Sequence, residues 1–262
     1  MLAGVLGWPV RHSRSPAMQN AAFGELGLDW RYLALPVPPE LFEATVRALP
    51  GSGYAGANVT VPHKVAACAM CDRLSDTARS IGAVNTLSFR DGCIEGENTD
   101  APGLLEAIGE PLAGRRALVL GAGGAGRAAA WALKDAGAEV SVWNRAADRA
   151  AALAEELGIA QVARPQASDV LVNSTSVGLG GGFSEEEEAL AALGLEGAEP
   201  PQLLVDLAYG SAPTALVRWA ERAGSRTVDG LEVLVRQGAR SLALWTGSAP
   251  PLEVMKKAAR HG

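Results

Sequence analysis

The sequence predicts an α/β protein in two parts: an N-terminal α/β domain, then a doubly wound parallel sheet with helices between its strands. Three observations carry that expectation. Short apolar runs alternate with helical patterns along the chain, as strands and crossover helices do in α/β folds. A glycine-rich turn at 121–126 lies between one such run and an alanine-rich helical stretch. Near residue 100 the pattern changes, from a hairpin signal to a regular strand–helix repeat.

In the first part, residues 2–6, 31–35 and 56–61 read as strands, and 16–26, 39–48 and 64–80 as helices. Residues 86–89 and 93–95, joined through Asp91-Gly92, read as a hairpin. Thr99-Asp100-Ala-Pro102 then opens a helix, with Asp100 near its N-terminus and Pro102 suited to its first turn. Beyond residue 116, strands are expected at 117–120, 138–143, 169–173, 203–207 and 226–228, with helical segments between most of them. Residues 146–157, rich in Ala, Leu and Glu, form a strong helix. The glycines of 178–183 make a flexible loop. The acidic run Glu185–Glu188 begins a helix whose positive end it complements. Residues 230–246 and 251–260 are two terminal helices. The expected division is 1–100 with about 240–262 in one domain, and 101–239 in the other.

The turn has the form G-x-G-x-x-G, and its setting is strand, turn, helix, then a second strand. Gly121 suits the tight turn, Gly123 lets backbone approach a pyrophosphate, and Gly126 lets helix pack on strand. The free N–H groups at the helix start favour phosphate. A purely structural turn is the plainer alternative, but the complete βαβ unit favours a Rossmann-type dinucleotide site. An NAD site expects an acid about 20 residues beyond the glycines. Here the second strand delivers Asn144-Arg145, with Arg149 one helical turn later. Two guanidiniums suit a 2′-phosphate, so NADP is the expected cofactor. The competing reading makes both arginines solvated helix-start residues, with Asp148 as a local partner.

Composition narrows the remaining classes. A net charge of −6 with no basic block argues against nucleic acid as a partner. The apolar N-terminus lacks a basic flank and is interrupted by Pro9, so it reads as a first strand, not a signal peptide. No apolar run approaches a membrane span, and a cytoplasmic location is expected. Three cysteines form no closed disulfide framework, and Cys68-x-x-Cys71 reads as a pair of inert, buried helix thiols. Arginines outnumber lysines 19 to 4, which says nothing of activity.

Four segments hold polar residues where strands and helices meet. In His12-Ser13-Arg-Ser15-Pro16, two hydroxyls at a helix start make a carboxylate cradle, or Ser15 merely caps the helix. In Asn58-Val-Thr60-Val-Pro-His63-Lys64, Asn58 and Thr60 share one face of a strand, and Lys64 closes the segment. On its own Lys64 reads as a surface lysine. Asn85 enters a strand in Ala83-Val-Asn85-Thr86, and Asp100 ends Glu97-Asn98-Thr99-Asp100, where N-capping is the plain reading. His12, His63 and His261 are not expected to be catalytic.

Together these segments resemble the shikimate dehydrogenase family. Ser13-x-Ser15, Asn58-Val-Thr60-x-Pro-x-Lys64, Ala83-Val-Asn85-Thr and Asn98-Thr-Asp100 match its substrate-domain motifs in order. The glycine turn, Asn144-Arg145, Asn173-Ser-Thr-Ser-x-Gly178, Asp206-x-x-Tyr209 and 230–237 continue the match over nearly the whole chain. The resemblance implies reversible NADP-linked reduction of 3-dehydroshikimate to shikimate by a monomer or homodimer, without nucleic-acid or membrane partners. It also implies a C-terminal helix that returns to the first domain.

Residue by residue, the resemblance gives Ser13, Ser15 and Tyr209 to the substrate carboxylate. Asn58, Thr60, Asn85, Asp100 and Gln237 go to ring hydroxyls, with Lys64 and Asp100 as the catalytic pair. Gly121, Ala122, Gly123, Gly124, Ala125 and Gly126 go to the cofactor, with Asn144, Arg145, Arg149, Thr175, Leu207 and Gly230. No metal or covalent intermediate is implied. A lysine carries its proton at neutral pH and can give it to oxygen as negative charge develops there. One departure stands out: the family often has Thr after Asn-Arg, and this chain has Ala146, which softens selectivity for NADP without reversing it. Alternatives are a broader quinate/shikimate dehydrogenase, a dehydrogenase-like sensor that binds without turnover, and a Rossmann reductase acting on a folate. Intact Lys64 and Asp100 count against the sensor. The Ser-x-Ser and Asn-Thr-Asp segments count against the folate enzyme.

Overall fold

Six small and aliphatic residues at the N-terminus form β1 (Leu2–Gly7), buried from Ala3 onward. A strand covered on both faces belongs inside a sheet, and β1 is flanked by a strand on either side. The structure, a computed structural model, describes residues 1–261. It divides into two units, Met1–Gly103 with the residues from Leu234 onward, and Leu104–Val233.

The first unit continues through α1 (Ser15–Glu25), β2 (Arg31–Pro36), α2 (Phe42–Ala48), β3 (Tyr54–Val59), β4 (Arg73–Leu74), α3 (Asp76–Ile81), β5 (Thr86–Arg90), β6 (Cys93–Glu97) and the first residues of α4 (Asp100–Ile108). Its sheet runs β2-β1-β3-β5-β6-β4. β1 is parallel to both β2 and β3, whereas β5 pairs antiparallel with β3 and with β6. Asp91 and Gly92 turn the β5–β6 hairpin with φ of 51° and 76°, as a two-residue loop matched to strand twist requires. Leu6, Phe42, Val46, Val59, Val84 and Leu87 form the core on one face. Each such side chain contributes roughly 1.5–3 kcal/mol by leaving water.

One expectation fails here. Residues 64–80 are not one helix: a 3-10 segment (Ala66–Met70) is followed by β4 and then by α3. The interruption has visible causes. Cys71 is extended, Asp72 N donates to Ile94 O, and Asp72 Oδ2 accepts from Ile94 N. Arg73 and Leu74 pair with Glu95 and Gly96 of β6, and Ser75 Oγ caps α3 by accepting from Ala78 N at 3.0 Å. Sheet pairing outweighs local helix propensity at these residues. Cys68 and Cys71 are therefore not α-helical and are only partly buried. The Cys71 thiol donates to Ala67 O, and burial, with Cys68 and Asp72 nearby, pushes it up to about 12, which leaves it unreactive.

The second unit is a six-stranded, all-parallel sheet. Its elements are β7 (Arg116–Leu120), α5 (Gly124–Asp135), β8 (Glu139–Trp143), α6 (Ala147–Leu157), β9 (Ala160–Gln161), β10 (Val170–Asn173), α7 (Glu186–Leu193), β11 (Leu203–Asp206), α8 (Ala215–Arg222) and β12 (Arg226–Val228). Strand order is β12-β11-β10-β7-β8-β9. The chain first winds outward from β7 through β8 and β9, then returns to β10 on the other side. This is the doubly wound dinucleotide-binding order, and the direction reverses between β7 and β10. Two helices complete the chain, α9 (Gly230–Thr246) and α10 (Leu252–His261). Within the first unit α10 packs along α1, so the last helix does return to the N-terminal unit. Among the described residues no helix is long and apolar enough to cross a membrane.

Candidate active site

In the first unit the site is assembled from strand ends, one loop and two helices. Asn58 lies on β3, and Thr60 just beyond it still pairs with β1 through Thr60 N to Leu6 O, 2.8 Å. His63 is buried; its Nε2 lies 2.7 Å from Val37 O, and its ring stacks on Phe42 at 4.3 Å between centroids. That anchor fixes the loop carrying Lys64, whose carbonyl accepts from Val84 N at 2.8 Å. Lys64 Nζ donates to Asp100 Oδ2 at 2.6 Å, and the two side chains are 13% and 16% exposed. Asn85 Nδ2 donates to the other oxygen of Asp100 at 2.9 Å and to Gln237 Oε1 at 3.1 Å.

Residues distant in sequence thus meet around one carboxylate. Capping does not explain Asp100. Asn98 Oδ1 accepts from Ala101 N at 3.2 Å, so Asn98 serves the start of α4 and the Asp100 carboxylate is held by Lys64 and Asn85. Gln237 reaches the group because α9 crosses α4 at Gly103, where a Cβ would lie 2.7 Å from Gln237 N. Ser15 is the first residue of α1, which has no side-chain cap; Ser13 Oγ accepts from Ser15 N at 3.3 Å. Capping by Ser15 is thereby set aside.

Four residues not singled out from the sequence belong to the same cluster. Thr86, Thr99 and Ser241 are buried, and their hydroxyls lie within 2.8–3.3 Å of one another. Tyr32 Oη donates to Asn58 Oδ1 at 2.7 Å. Two of them carried a readable signal: Thr86 is the cross-strand partner of Asn58, and Ser241 follows Gln237 by one helical turn. Among the described residues, no group of three or more His, Cys, Asp or Glu side chains could hold a metal ion.

In the second unit the glycine turn joins β7 to α5 at the reversal of strand order. Gly121 has φ of 107°, open to glycine alone, and its N–H bonds Trp143 O at 2.8 Å. A Cβ on Gly126 would lie 2.1 Å from Gly121 O, whereas a Cβ on Gly123 would meet nothing within 4 Å. The turn is closed on its inner side and open on its outer side. With Gly123, which has no side chain, at the N-cap of α5, the open side fits a pyrophosphate. Ala122, Gly124 and Ala125 lie along this same turn.

Asn144 ties the turn to the next crossover, accepting from Ala122 N at 3.3 Å and donating to Ala146 O at 2.9 Å. Arg145 and Arg149 flank the start of α6 and are exposed, positions that suit a phosphate dianion. Arg127 is already engaged by Glu156. Farther along the carboxyl edge, Asn173 Oδ1 accepts from Thr175 N and Oγ1 at 3.0 and 2.7 Å. Asn173 Nδ2 donates to Asp206 Oδ1 at 2.8 Å, and Asn173 O accepts from Leu207 N at 2.9 Å. Asp206 is fully buried, and Ala208 N and Thr214 Oγ1 also donate to it, at 3.0 and 2.5 Å. Burial pushes its carboxyl up to about 6, against the pull of those hydrogen bonds. Tyr209 follows on this loop, and its carbonyl accepts from Gly180 N at 3.0 Å. Gly230 begins α9 against the same loop, where a Cβ would stand 2.6 Å from Leu207 O.

Comparison with known proteins agrees with both halves. Residues 5–87 match the model of the shikimate dehydrogenase substrate binding domain, 103–232 that of shikimate / quinate 5-dehydrogenase, and 230–260 that of the shikimate 5'-dehydrogenase C-terminal domain. A shikimate dehydrogenase (NADP(+)) of Anaeromyxobacter sp. strain Fw109-5 is 47% identical, over 98% of this chain and 95% of its own. The structure of shikimate 5-dehydrogenase from Thermus thermophilus in complex with NADP(H) and shikimate is similar with a TM-score of 0.87. It is 42% identical and covers 100% of this chain and 99% of its own. That of shikimate dehydrogenase from Aquifex aeolicus has a TM-score of 0.90 at 35% identity, covering 99% and 97%. With its glycine turn, its Lys64–Asp100 pair and full-length relatives of this identity, the chain belongs to the shikimate dehydrogenase family.

Proposed function

We propose that this chain catalyses the reversible, NADP(H)-dependent reduction of 3-dehydroshikimate to shikimate, a step of aromatic amino-acid biosynthesis, in the cytoplasm. The observation that carries the reading is the 2.6 Å contact of Lys64 Nζ with Asp100 Oδ2, with Asn85 on the other oxygen. It fixes the Lys64 amine in place beside the Asp100 carboxylate. NADPH, when bound, supplies the hydride. Lys64 Nζ donates a proton to the carbonyl oxygen as that oxygen gains negative charge. In the reverse direction neutral Lys64 takes the proton from the hydroxyl. Asp100 holds the ammonium in register and accepts from a ring hydroxyl.

The first unit takes the substrate, with Ser13 and Ser15 for its carboxylate and Thr60, Asn85 and Gln237 for its hydroxyls; Tyr209 keeps the carboxylate role that the family resemblance gives it. In the second unit, Gly121–Gly126 and the α5 amides hold the pyrophosphate, Asn144, Arg145 and Arg149 the 2′-phosphate end, and Thr175, Leu207 and Gly230 the remainder. A small molecule is the partner, for a monomer or homodimer acting without nucleic acid or membrane. Nicotinamide absorbance during turnover of shikimate and of quinate, each with NADP and NAD, tests the reading. Shikimate with NADP should give the highest kcat/KM. No turnover of shikimate would overturn the assignment, and an equal or higher kcat/KM with NAD would overturn the cofactor.

A further inference from the structure

Asn58 is 5% exposed, and the protein already uses most of its hydrogen-bonding capacity. An amide has two N–H donors and one carbonyl. Asn58 Nδ2 has three acceptors in reach, Asn85 O at 3.1 Å, Thr86 Oγ1 at 3.1 Å and Ser241 Oγ at 2.9 Å. Its Oδ1 accepts from Tyr32 Oη at 2.7 Å. Both N–H donors are thus committed within the protein, and the carbonyl keeps one lone pair beyond the tyrosine. The neighbours of Asn58 lead to the reacting groups. Thr86 Oγ1 donates to Asn85 Oδ1 at 3.2 Å, and Thr99 N donates to that oxygen at 2.7 Å. With its oxygen so held, Asn85 turns Nδ2 toward Asp100, which grips Lys64.

Sheet register explains how Tyr32 takes part from the edge strand. Tyr32 pairs with Ala3, Val5 pairs with Asn58, and Asn58 pairs with Thr86. Paired residues and alternate residues share a face, so Tyr32, Ala3, Val5, Asn58 and Thr86 all lie on one face, and the phenol crosses small Ala3 to reach Asn58. Trp245 of α9 covers the ring, with centroids 6.2 Å apart.

We infer that Tyr32 is a positioning residue for the proposed Lys64–Asp100 chemistry, acting through Asn58, whose amide it orients toward Asn85 and Ser241. The inference rests on the proposed shikimate dehydrogenase reading. It gives Asn58 a place in the same positioning chain, beside the ring-hydroxyl contact that the family resemblance assigns to it. The chain is Tyr32, Asn58, Thr86 with Ser241, Asn85, Asp100 and Lys64. Deleting the phenol oxygen leaves Asn58 Oδ1 without this donor, which weakens one end of the chain that leads through Thr86 and Asn85 to Asp100.

The test is Tyr32→Phe, which keeps the ring, with Ser241→Ala as an independent break at the far side of Asn58. Steady-state rates with shikimate and NADP, their pH profiles and thermal melting are measured for both and for the wild type. Misplacement of reacting groups by about an ångström can cost on the order of a hundredfold in rate. Both variants should therefore lose about tenfold or more in kcat, with KM for shikimate within about threefold, and the pH midpoint of kcat should move. A purely structural tyrosine would lower the melting temperature and leave that midpoint in place. If kcat stays within about twofold of wild type, or if KM rises while kcat holds, the inference is overturned. Should Tyr32→Phe fail to fold, Ser241→Ala decides by the same criteria. A wild type that does not turn over shikimate defeats the functional reading itself, which separates the two failures.

Discussion

Replacing Asp206 by asparagine should change how stability depends on pH. Asp206 is fully buried at the end of β11, and burial raises its carboxyl from 3.8 to about 6, despite hydrogen bonds from Thr214, Ala208 and Asn173 that favour the charge. The folded protein therefore holds this proton more tightly than the unfolded chain. Stability linked to the group is complete below about pH 3.8 and is lost as pH rises through about 6. A shift of about two pH units corresponds to about 3 kcal/mol, of which about 2 kcal/mol lies above about pH 4.5. Asparagine has the same shape and no ionisation. Urea denaturation of both proteins from about pH 4.5 to 7 should show the wild type losing about 2 kcal/mol relative to Asp206→Asn. A difference independent of pH, or a wild type that gains on the variant as pH rises, would refute the argument. The first result would mean that the three donors cancel desolvation, and the second that they outweigh it and hold a stabilised carboxylate.

Lys64→Ala should fold normally, change KM for shikimate little, and lose about 10²–10⁴ in kcat, the usual worth of a placed proton donor; unaltered turnover would remove Lys64 from the mechanism. Arg145→Ala should weaken NADP by about ten- to a hundredfold, as expected for a lost charge-assisted hydrogen bond of about 1.5–3 kcal/mol, while NAD changes little; titration of each cofactor against tryptophan fluorescence reads both. Gly126→Ala would set a methyl 2.1 Å from Gly121 O. That backbone oxygen cannot swing aside, so a loss of about 1–3 kcal/mol in urea denaturation is expected, with weaker binding of either cofactor.

The second unit was the more legible half of the sequence. Most of its strands are short apolar runs, its turn glycines have positional reasons, and β7, β8, β10, β11 and β12 fall within a residue or so of the expected ranges, whereas the two-residue β9 was not expected. Local signals failed where non-local pairing decides. The helical pattern of 64–80 gave way to β4 because Arg73 and Leu74 find partners on β6, about 20 residues later in the chain. Spacing held no sign that Lys64 meets Asp100; resemblance supplied it. Capping logic favoured Asp100 at the start of α4, yet Asn98, two residues earlier, bonds the amide there. Tyr32 left no trace at all, since a tyrosine in an edge strand has many ordinary reasons to be there, and only strand register carries it over Ala3 to Asn58.

The contact between Lys64 and Asp100 sits in a chain with only four lysines. Lys134 is bound to the carbonyl of Leu157, Lys256 lies 3.7 Å from Glu253, and Lys257 is exposed on the last helix. Almost all permanent positive charge is guanidinium, which does not titrate in the accessible range. The protein thus carries its proposed proton donor as one of very few amines. Isotope-labelled methyl groups placed on those amines would report a handful of resonances, and the one beside Asp100 would stand apart from the exposed ones. The protonation state of the proposed acid could then be followed through a titration directly, without inferring it from rates.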